Sequence, residues 1–591
     1  MDPRMDLHRF TISRTDILIQ LRKIGSILLK MLPLIFLGLF YFYPIIKISV
    51  LAFYKTTTTA IPPLFDALRS SYILHVIGFT FWQAILSTIL TLLAGLPPAY
   101  LFARYQFPGK SFIRSLTAIP FVLPTLVVAA AFNSLFGPHG WINVLLMTLF
   151  GFQHAVFTLT NSLTAILVAH VFYNLTIVIR LVGDYWSRLD ARLVQASRTL
   201  GANSWQSFWR ITFPLLRPAL LAAALLVLIF DFTSFGVILI LGGPRYATLE
   251  VEIYYQATGL LNMPMAMALS FIQLGCTLAM TVIYSRLSAA VSRPIRIQSS
   301  TQNLSFFKNH PQRVMAFFII GFLIVFQLLP LIGLLGRSIL HAGLERGQHL
   351  LSTPYISLDY YRELFINRRQ SLFYVAPGKA IAVSVSYALT TVVLSLLLGL
   401  PTAWLFAQDS NDKSTLHKIQ RITEPLLMLP LGTSAVTMGL GFLVAFDRPP
   451  LDLRASPLLI PMAHTLVAFP FVVRSLLPAW RSIRPQLHHA AELLGANPSQ
   501  IFLRVDLPLI GKAVIVAAVF AFSISLGEFG ATSLLARPEY PTIPIAIYRY
   551  LSQPGEMNYG QGLALSVILM LVTALGMISI EHLRVGEVGE F

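Results

Sequence analysis

Twelve stretches of this chain are apolar over about 20 residues, the length that crosses a bilayer as a helix. They fall near Met31–Phe53, Ile77–Ala103, Ser115–Phe136, Leu163–Tyr185, Leu216–Leu241 and Met265–Leu287, then near Val314–Leu335, Ile381–Ala407, Pro425–Phe446, Pro457–Trp480, Lys512–Leu535 and Gly560–Ile580. Such a chain has lipid as part of its solvent, and only structures that satisfy every backbone group internally survive there. The expected fold is therefore an all-α integral membrane protein. Composition agrees: 56% of the 591 residues are hydrophobic and 12% are charged, against about 25% charged in soluble domains. One further stretch, Trp141–Gly151, is apolar but too short to span, and reads as an interfacial or re-entrant helix.

The net charge of +18 would suggest a nucleic-acid partner in a soluble protein. Here the basic residues gather in short loops on one side, which marks the cytoplasmic face and leaves no call for nucleic acid. The loops concerned are the N-terminal arm, Arg104–Arg114, Arg188–Arg217, Arg286–Arg313, Gln408–Arg421 and Arg481–Lys512, whereas Gly137–Thr160 on the other side is nearly free of Lys and Arg. The loop Arg337–Lys379 breaks the pattern with Arg362, Arg368 and Arg369, and reads as an extracytoplasmic segment that could serve as a docking surface. The basic arm Met1–Lys30, followed by a run long enough to span and by no small-residue cleavage site, reads as a signal anchor with both chain termini in the cytoplasm. The single cysteine, Cys276, forms neither an internal disulfide nor a cysteine metal cluster.

The chain is a tandem repeat. When Ala169 is set on Ala463, the halves align without a gap as far as Tyr254 on Tyr548. His170 then falls on His464, Arg180 on Arg474 and Trp186 on Trp480; Leu200-Gly201-Ala202-Asn203 falls on Leu494-Gly495-Ala496-Asn497, and Phe235-Gly236 on Phe529-Gly530. Upstream, Gly95-Leu96-Pro97 resembles Gly399-Leu400-Pro401 at a larger offset, so there is a small net insertion in the first half or deletion in the second between the two matches. Six spans per copy give both copies the same orientation, with a pathway expected between them. The boundaries read as an arm 1–30, a first unit 31–290, a linker 291–313, a second unit 314–582 containing the loop 337–379, and a tail 583–591. The Gly-Pro patches are read as kinks that also allow close helix packing.

A loop in each copy carries the functional signal. In the first it reads Gln195-Ala196-Ser197, then Gly201, Ile211 and Pro214; in the second, His489-Ala490-Ala491, then Gly495, Val505 and Pro508. The pattern predicts a helix ended by the glycine, a turn, and a second short helix starting near Ser204 or Pro498 and closed by the proline before the next span. This resembles the glutamate-alanine-alanine loop of type I ABC importer permeases. Both copies depart from that family at the first position, where Gln195 and His489 replace the usual Glu. The runs Thr233–Pro244 with Ala247–Tyr254, and Ser525–Gly530 with Thr542–Tyr548, are similar to the fused two-copy permeases of the ferric-iron and thiamine importers.

The resemblance implies a transporter membrane subunit of a prokaryotic cell membrane, not an enzyme. It implies partners in two copies of an ABC ATPase, an extracytoplasmic substrate-binding protein and membrane lipid, with ATP and Mg2+ held by the ATPase and no cofactor held by this chain. The chain has no phosphate-binding loop of its own: Gly109-Lys110-Ser111 resembles the end of one, but Arg104 stands where the first glycine is needed. No catalytic or metal-binding residue is expected. Within the spans, Asp231 and Glu528 are costly acids and hence candidates for the substrate pathway, or else for buried helix–helix hydrogen bonds. They sit three positions out of register, Asp231 matching Ser525 and Ser234 matching Glu528. The competing class is a twelve-helix secondary carrier driven by an ion gradient, which gives no reason for the paired loops. A purely structural scaffold leaves the polar residues within the spans unexplained.

Overall fold

The computed structural model describes residues 31–54, 61–291, 304–341, 355–366, 376–407 and 426–584, apart from 139, 153, 157, 158, 308 and 450. The arm 1–30, the basic loop 408–425, most of the linker and the end of the tail lie outside these. The described chain is helical, with one pair of two-residue strands, Leu340–His341 against Tyr355–Ile356. Among the described residues, ten helices are long and apolar enough to cross a membrane, and two bent helix pairs, each counted as one span, make twelve.

The bent pairs are the third span of each copy. Lys110–Val122 turns by 104° into the helix that starts at Thr125, and Leu426–Gly432 turns by 110° into Ala435–Ala445. Pro124 explains the first elbow: Leu123 ahead of it is extended, as a residue before proline is pushed to be. Ser434 starts the second, its hydroxyl accepting from Thr437 N. The fifth spans depart from expectation at both ends. They begin in the loops, as Ser204–Phe232 and Pro498–Gly527, and they break short of the expected ends. Phe232 and Gly527 are followed by non-helical residues, then by the short helices Gly236–Leu241 and Gly530–Leu535.

Gly95-Leu96-Pro97-Pro98 does not interrupt its helix, which runs from Ser71 to Arg104. Its glycine serves packing. A Cβ on Gly95 would lie 2.7 Å from Val178 Cβ, and one on the matching Gly399 would lie 2.6 Å from Val472 Cγ1. Gly95→Val and Gly399→Val are thus expected to force the second and fourth spans apart at about 1–3 kcal/mol each. Thermal unfolding of the purified chain checks this, with Gly78→Val, where nothing lies within 4 Å, as the neutral comparison.

The net insertion in the first copy includes Trp141–Phe150, a short helix ended by Gly151 in the left-handed region. Where it stands, the described residues of the second copy between Asp447 and Leu458 form turns and no helix. Its Trp141 Nε1 donates to the Gly333 carbonyl of the other copy at 2.9 Å.

The first span of each copy crosses to the opposite copy. From Met31–Phe53, the Tyr41 hydroxyl bonds Thr433 Oγ1 at 2.7 Å and Phe40 packs on Phe442 and Phe446. From His310–Ile339, Phe326 packs on Phe172 and Gly333 lies against Leu135. The same helix supplies Arg337, which is fully buried and reaches Glu556 at 3.5 Å. Glu556 also accepts from the Tyr360 hydroxyl at 3.0 Å, and burial raises the Tyr360 phenol above its ordinary pKa. Arg337 is therefore a buried tie at the start of the exceptional loop; of the charges that set that loop apart, Arg362 is exposed, and Arg368 and Arg369 lie outside the described residues.

Candidate functional sites: the paired loops and the broken fifth spans

Each loop is built the same way. Ala191–Thr199 and Pro485–Leu493 are the first helices. Gly201 (φ +85°) and Gly495 (φ +80°) follow them in the left-handed region. Ala202 N donates to the Ser197 carbonyl and Gly201 N to that of Arg198; Ala496 N and Gly495 N donate likewise to Ala491 and Glu492. This paired pattern is a Schellman stop, and it needs the positive φ at the glycine.

The next helix opens on a reciprocal cap in both copies. Gln206 N donates to Asn203 Oδ1 at 2.8 Å while Asn203 N donates to Gln206 Oε1 at 3.0 Å. Asn497 and Gln500 repeat this at 2.9 Å each way. Two orphan donors are satisfied at once, so Ser204 and Pro498 are the first helical residues.

The expectation that Pro214 and Pro508 close this helix is corrected by the structure. Phe208–Thr212 and Phe502–Asp506 are wide turns in which Phe213 N and Leu507 N reach back to the Phe208 and Phe502 carbonyls. A wide turn is one of the local adjustments that let a helix carry a proline. The helix passes through each proline and becomes the fifth span.

The loop tips are apolar and open. Leu200 and Leu494, at matching positions, are each 88% exposed, and Trp205 is 68% exposed. Gln195, Ala196, His489 and Ala490 are exposed on the first helices, while Ile211 and Val505 are half-buried. The two loops are tied internally by different bonds. In the first, buried Ser197 meets Ser207 at 2.7 Å. In the second, His488 meets buried Asp506 at 2.6 Å, and exposed His489 lies 3.7 Å from Glu492.

At the far end of the fifth spans, the four acid and serine positions converge on the matching histidines. In the first copy, His170 Nε2 bonds Ser234 Oγ at 2.9 Å and Nδ1 lies 3.4 Å from Asp231. Asn174 donates to Asp231 Oδ1 at 2.7 Å. In the second copy, His464 Nδ1 bonds Ser525 Oγ at 2.7 Å and Nε2 lies 3.1 Å from Glu528. Ser525 donates on to Thr391. The register mismatch is thus an exchange: acid then serine in one copy, serine then acid in the other, with both positions facing the histidine.

Glu528 is the more fully held acid. It accepts from Ala531 N at 2.8 Å, Thr532 N at 3.0 Å and Thr532 Oγ1 at 2.6 Å. It therefore caps the short helix beyond the break. Asp231, Ser525 and Glu528 are buried and Ser234 is half-buried. All four bond within their own copy.

Two further buried acids went unremarked in the sequence. Glu250 and Glu252 stand where the second copy has Pro544 and Ala546. Gln273 donates to Glu250 at 2.5 Å. Tyr72 and Gln256 donate to Glu252 at 2.8 and 2.7 Å. The available signal was the repeat itself, which pairs a charged residue in one copy with an apolar one in the other.

A family profile described as "Binding-protein-dependent transport system inner membrane component" matches residues 92–296 and 389–584. Both matches begin beyond the crossing first span. Three relatives are each described as "Thiamine transport system permease protein ThiP". The one from Escherichia coli (strain K12) is 26% identical over 518 residues, 87% of this chain and 90% of that protein. The one from Brucella abortus (strain 2308) is 28% identical over 87% of this chain and 89% of its own length. The one from Haemophilus influenzae (strain ATCC 51907 / DSM 11121 / KW20 / Rd) is 27% identical over 85% and 87%.

Proposed function

The chain belongs to the family of binding-protein-dependent transport system inner membrane components, and on that premise we propose that it is the fused permease of a thiamine importer. The sequence leaves ferric iron and thiamine open; the named relatives favour thiamine. In this reading the loop end faces the cytoplasm, and each loop seats on one of two ATPase subunits. A substrate-binding protein delivers thiamine to the opposite face, and ATP and Mg2+ are held by the ATPases.

The observation that carries the reading is the continuity of loop and span. The second loop helix and the fifth span are one helix, Ser204–Phe232 in one copy and Pro498–Gly527 in the other. A helix is stiff over such a length, so a displacement of the docked tip becomes a displacement of the span and of the break at its far end. The exposed Leu200, Trp205 and Leu494 give the tip an apolar surface suited to burial against a partner. Asp231, Ser234, Ser525 and Glu528 act here as braces that hold the broken ends in place.

The test is reconstitution. The chain is purified with its ATPase in proteoliposomes, and ATP hydrolysis is followed on adding the binding protein. Stimulation by the thiamine-loaded protein, and not by the same protein supplied with ferric ion, is expected. Uptake driven by an ion gradient without ATP would favour the secondary carrier and overturn this reading.

A further inference from the structure

The two copies meet through matching residues at the breaks in their fifth spans. Phe235 and Phe529 stack with centroids 5.4 Å apart and planes at 19°. Tyr254 packs on Phe235 at 5.3 Å and Tyr548 on Phe529 at 5.4 Å. Phe235 matches Phe529, and Tyr254 matches Tyr548. A contact between matching residues of two like halves lies on the axis that relates them. A pathway between those halves runs along the same axis, so a plug there seals it. At 5.4 Å the two rings are in contact, and both are buried.

The plug is clamped from outside. A Cβ on Gly236 would lie 2.5 Å from Thr125 Oγ1, one on Gly530 2.9 Å from Ala435, and one on Gly527 3.0 Å from Pro124. These partners are the elbows of the bent third spans, so the breaks and the elbows of both copies are packed together at the axis. On the near side of Phe529, Glu528 is fixed by His464 and by the helix it caps. The ring is therefore positioned by the same chain that rises from the coupling loop.

The chemistry of the plug selects for charge. Ring faces attract cations, most strongly where water is excluded. Tyr254 and Tyr548 are half-buried, so each retains some access. Two residues before Tyr254, buried Glu252 accepts from the Tyr72 hydroxyl and from Gln256.

We propose that Phe235, Phe529, Tyr254 and Tyr548 form the gate of the transport pathway and contact the passing substrate, an organic cation, through their ring faces. This rests on the importer reading for the direction of transport, and on thiamine only as a probe.

The complex of chain and ATPase in proteoliposomes tests both parts. Vesicles loaded with labelled choline and given no ATP report the seal. Phe235→Ala with Phe529→Ala is expected to release choline manyfold faster than the unsubstituted complex. Phe235→Leu with Phe529→Leu keeps the bulk and drops the two central ring faces; it is expected to stay sealed while ATP-driven thiamine uptake falls about thirtyfold, the size of one well-desolvated cation–π contact. Choline retention by the alanine pair, equal to that of the unsubstituted complex, would overturn the gate. Undiminished thiamine uptake by the leucine pair would overturn the cation contact. If the unsubstituted complex takes up no thiamine, the substrate reading fails and the choline measurement still decides the gate.

Discussion

Replacing Gly201 and Gly495 together with valine is expected to abolish ATP-driven transport while the chain still inserts and folds. Nothing lies within 4 Å of a Cβ at either position, so the substitution meets no neighbour. The cost is in the backbone. At φ +85° and +80°, an L residue is disfavoured by about 1–2 kcal/mol, and more when branched at Cβ. Relief requires a rotation that breaks the bonds from Ala202 N to Ser197 and from Ala496 N to Ala491. The first loop helix then swings away from the second, and Leu200 and Leu494 leave the surface they present.

The core of the membrane domain is untouched, so expression and thermal unfolding of the chain alone should change little. Transport and ATPase stimulation by the loaded binding protein should both vanish. Asparagine tolerates the left-handed region, so Gly201→Asn with Gly495→Asn should retain most of the activity. Full transport by the valine pair would show that the loops do not couple.

A second large effect is expected at Glu528. Glu528→Ala removes the acceptor for Ala531 N, Thr532 N and Thr532 Oγ1 and the partner of His464, all buried. Leaving a buried hydrogen-bonding group without its partner costs about 1–3 kcal/mol, and several are stranded here at once. Glu528→Gln keeps an acceptor oxygen and most of the shape, and should cost distinctly less. The matching experiment in the first copy is Asp231→Ala, where the side chain is held by Asn174 and His170 without capping a helix. Its destabilisation should be smaller. Thermal unfolding of the purified chain in detergent orders the three variants. Equal losses for Glu528→Ala and Asp231→Ala would mean that the cap contributes nothing.

The spans and the repeat were legible because their signals are long. Twenty apolar residues, or a glycine, proline and tryptophan repeated at one register, leave few alternatives. The breaks were not legible, because an apolar run reads the same whether straight or bent. Leu216–Leu241 reads as one span interrupted only by Arg217, Asp231, Thr233 and Ser234, yet the helix stops at Phe232 and resumes at Gly236. What ends it is tertiary: an axial neighbour, Phe529, and an elbow from another span.

The loop was legible in its glycines and caps but not in its prolines. Pro214 signals a stop when read locally, and the wide turn upstream that absorbs it has no sequence signature. The acids were half legible. Asp231 and Glu528 stood out as charges in apolar runs, but their shared target became visible only when His170 and His464 were placed beside them. Glu250 and Glu252 lie just past the expected end of a span, where a charge attracts no notice.

The exchange of first spans has a consequence for synthesis. The helix Met31–Phe53 is made first, yet residues it packs against, Thr433, Phe442 and Phe446, are made hundreds of residues later. At about 5–20 residues per second, roughly 20–80 seconds pass before that surface leaves the ribosome. During that interval its own copy's sixth span, Met263–Val291, becomes available, with Phe271 against Phe53, but the Tyr41 hydroxyl still lacks Thr433. A nascent first half released by a stop codon would present this same helix, and the Leu135 side that His310–Ile339 covers, to the quality-control proteases of the membrane.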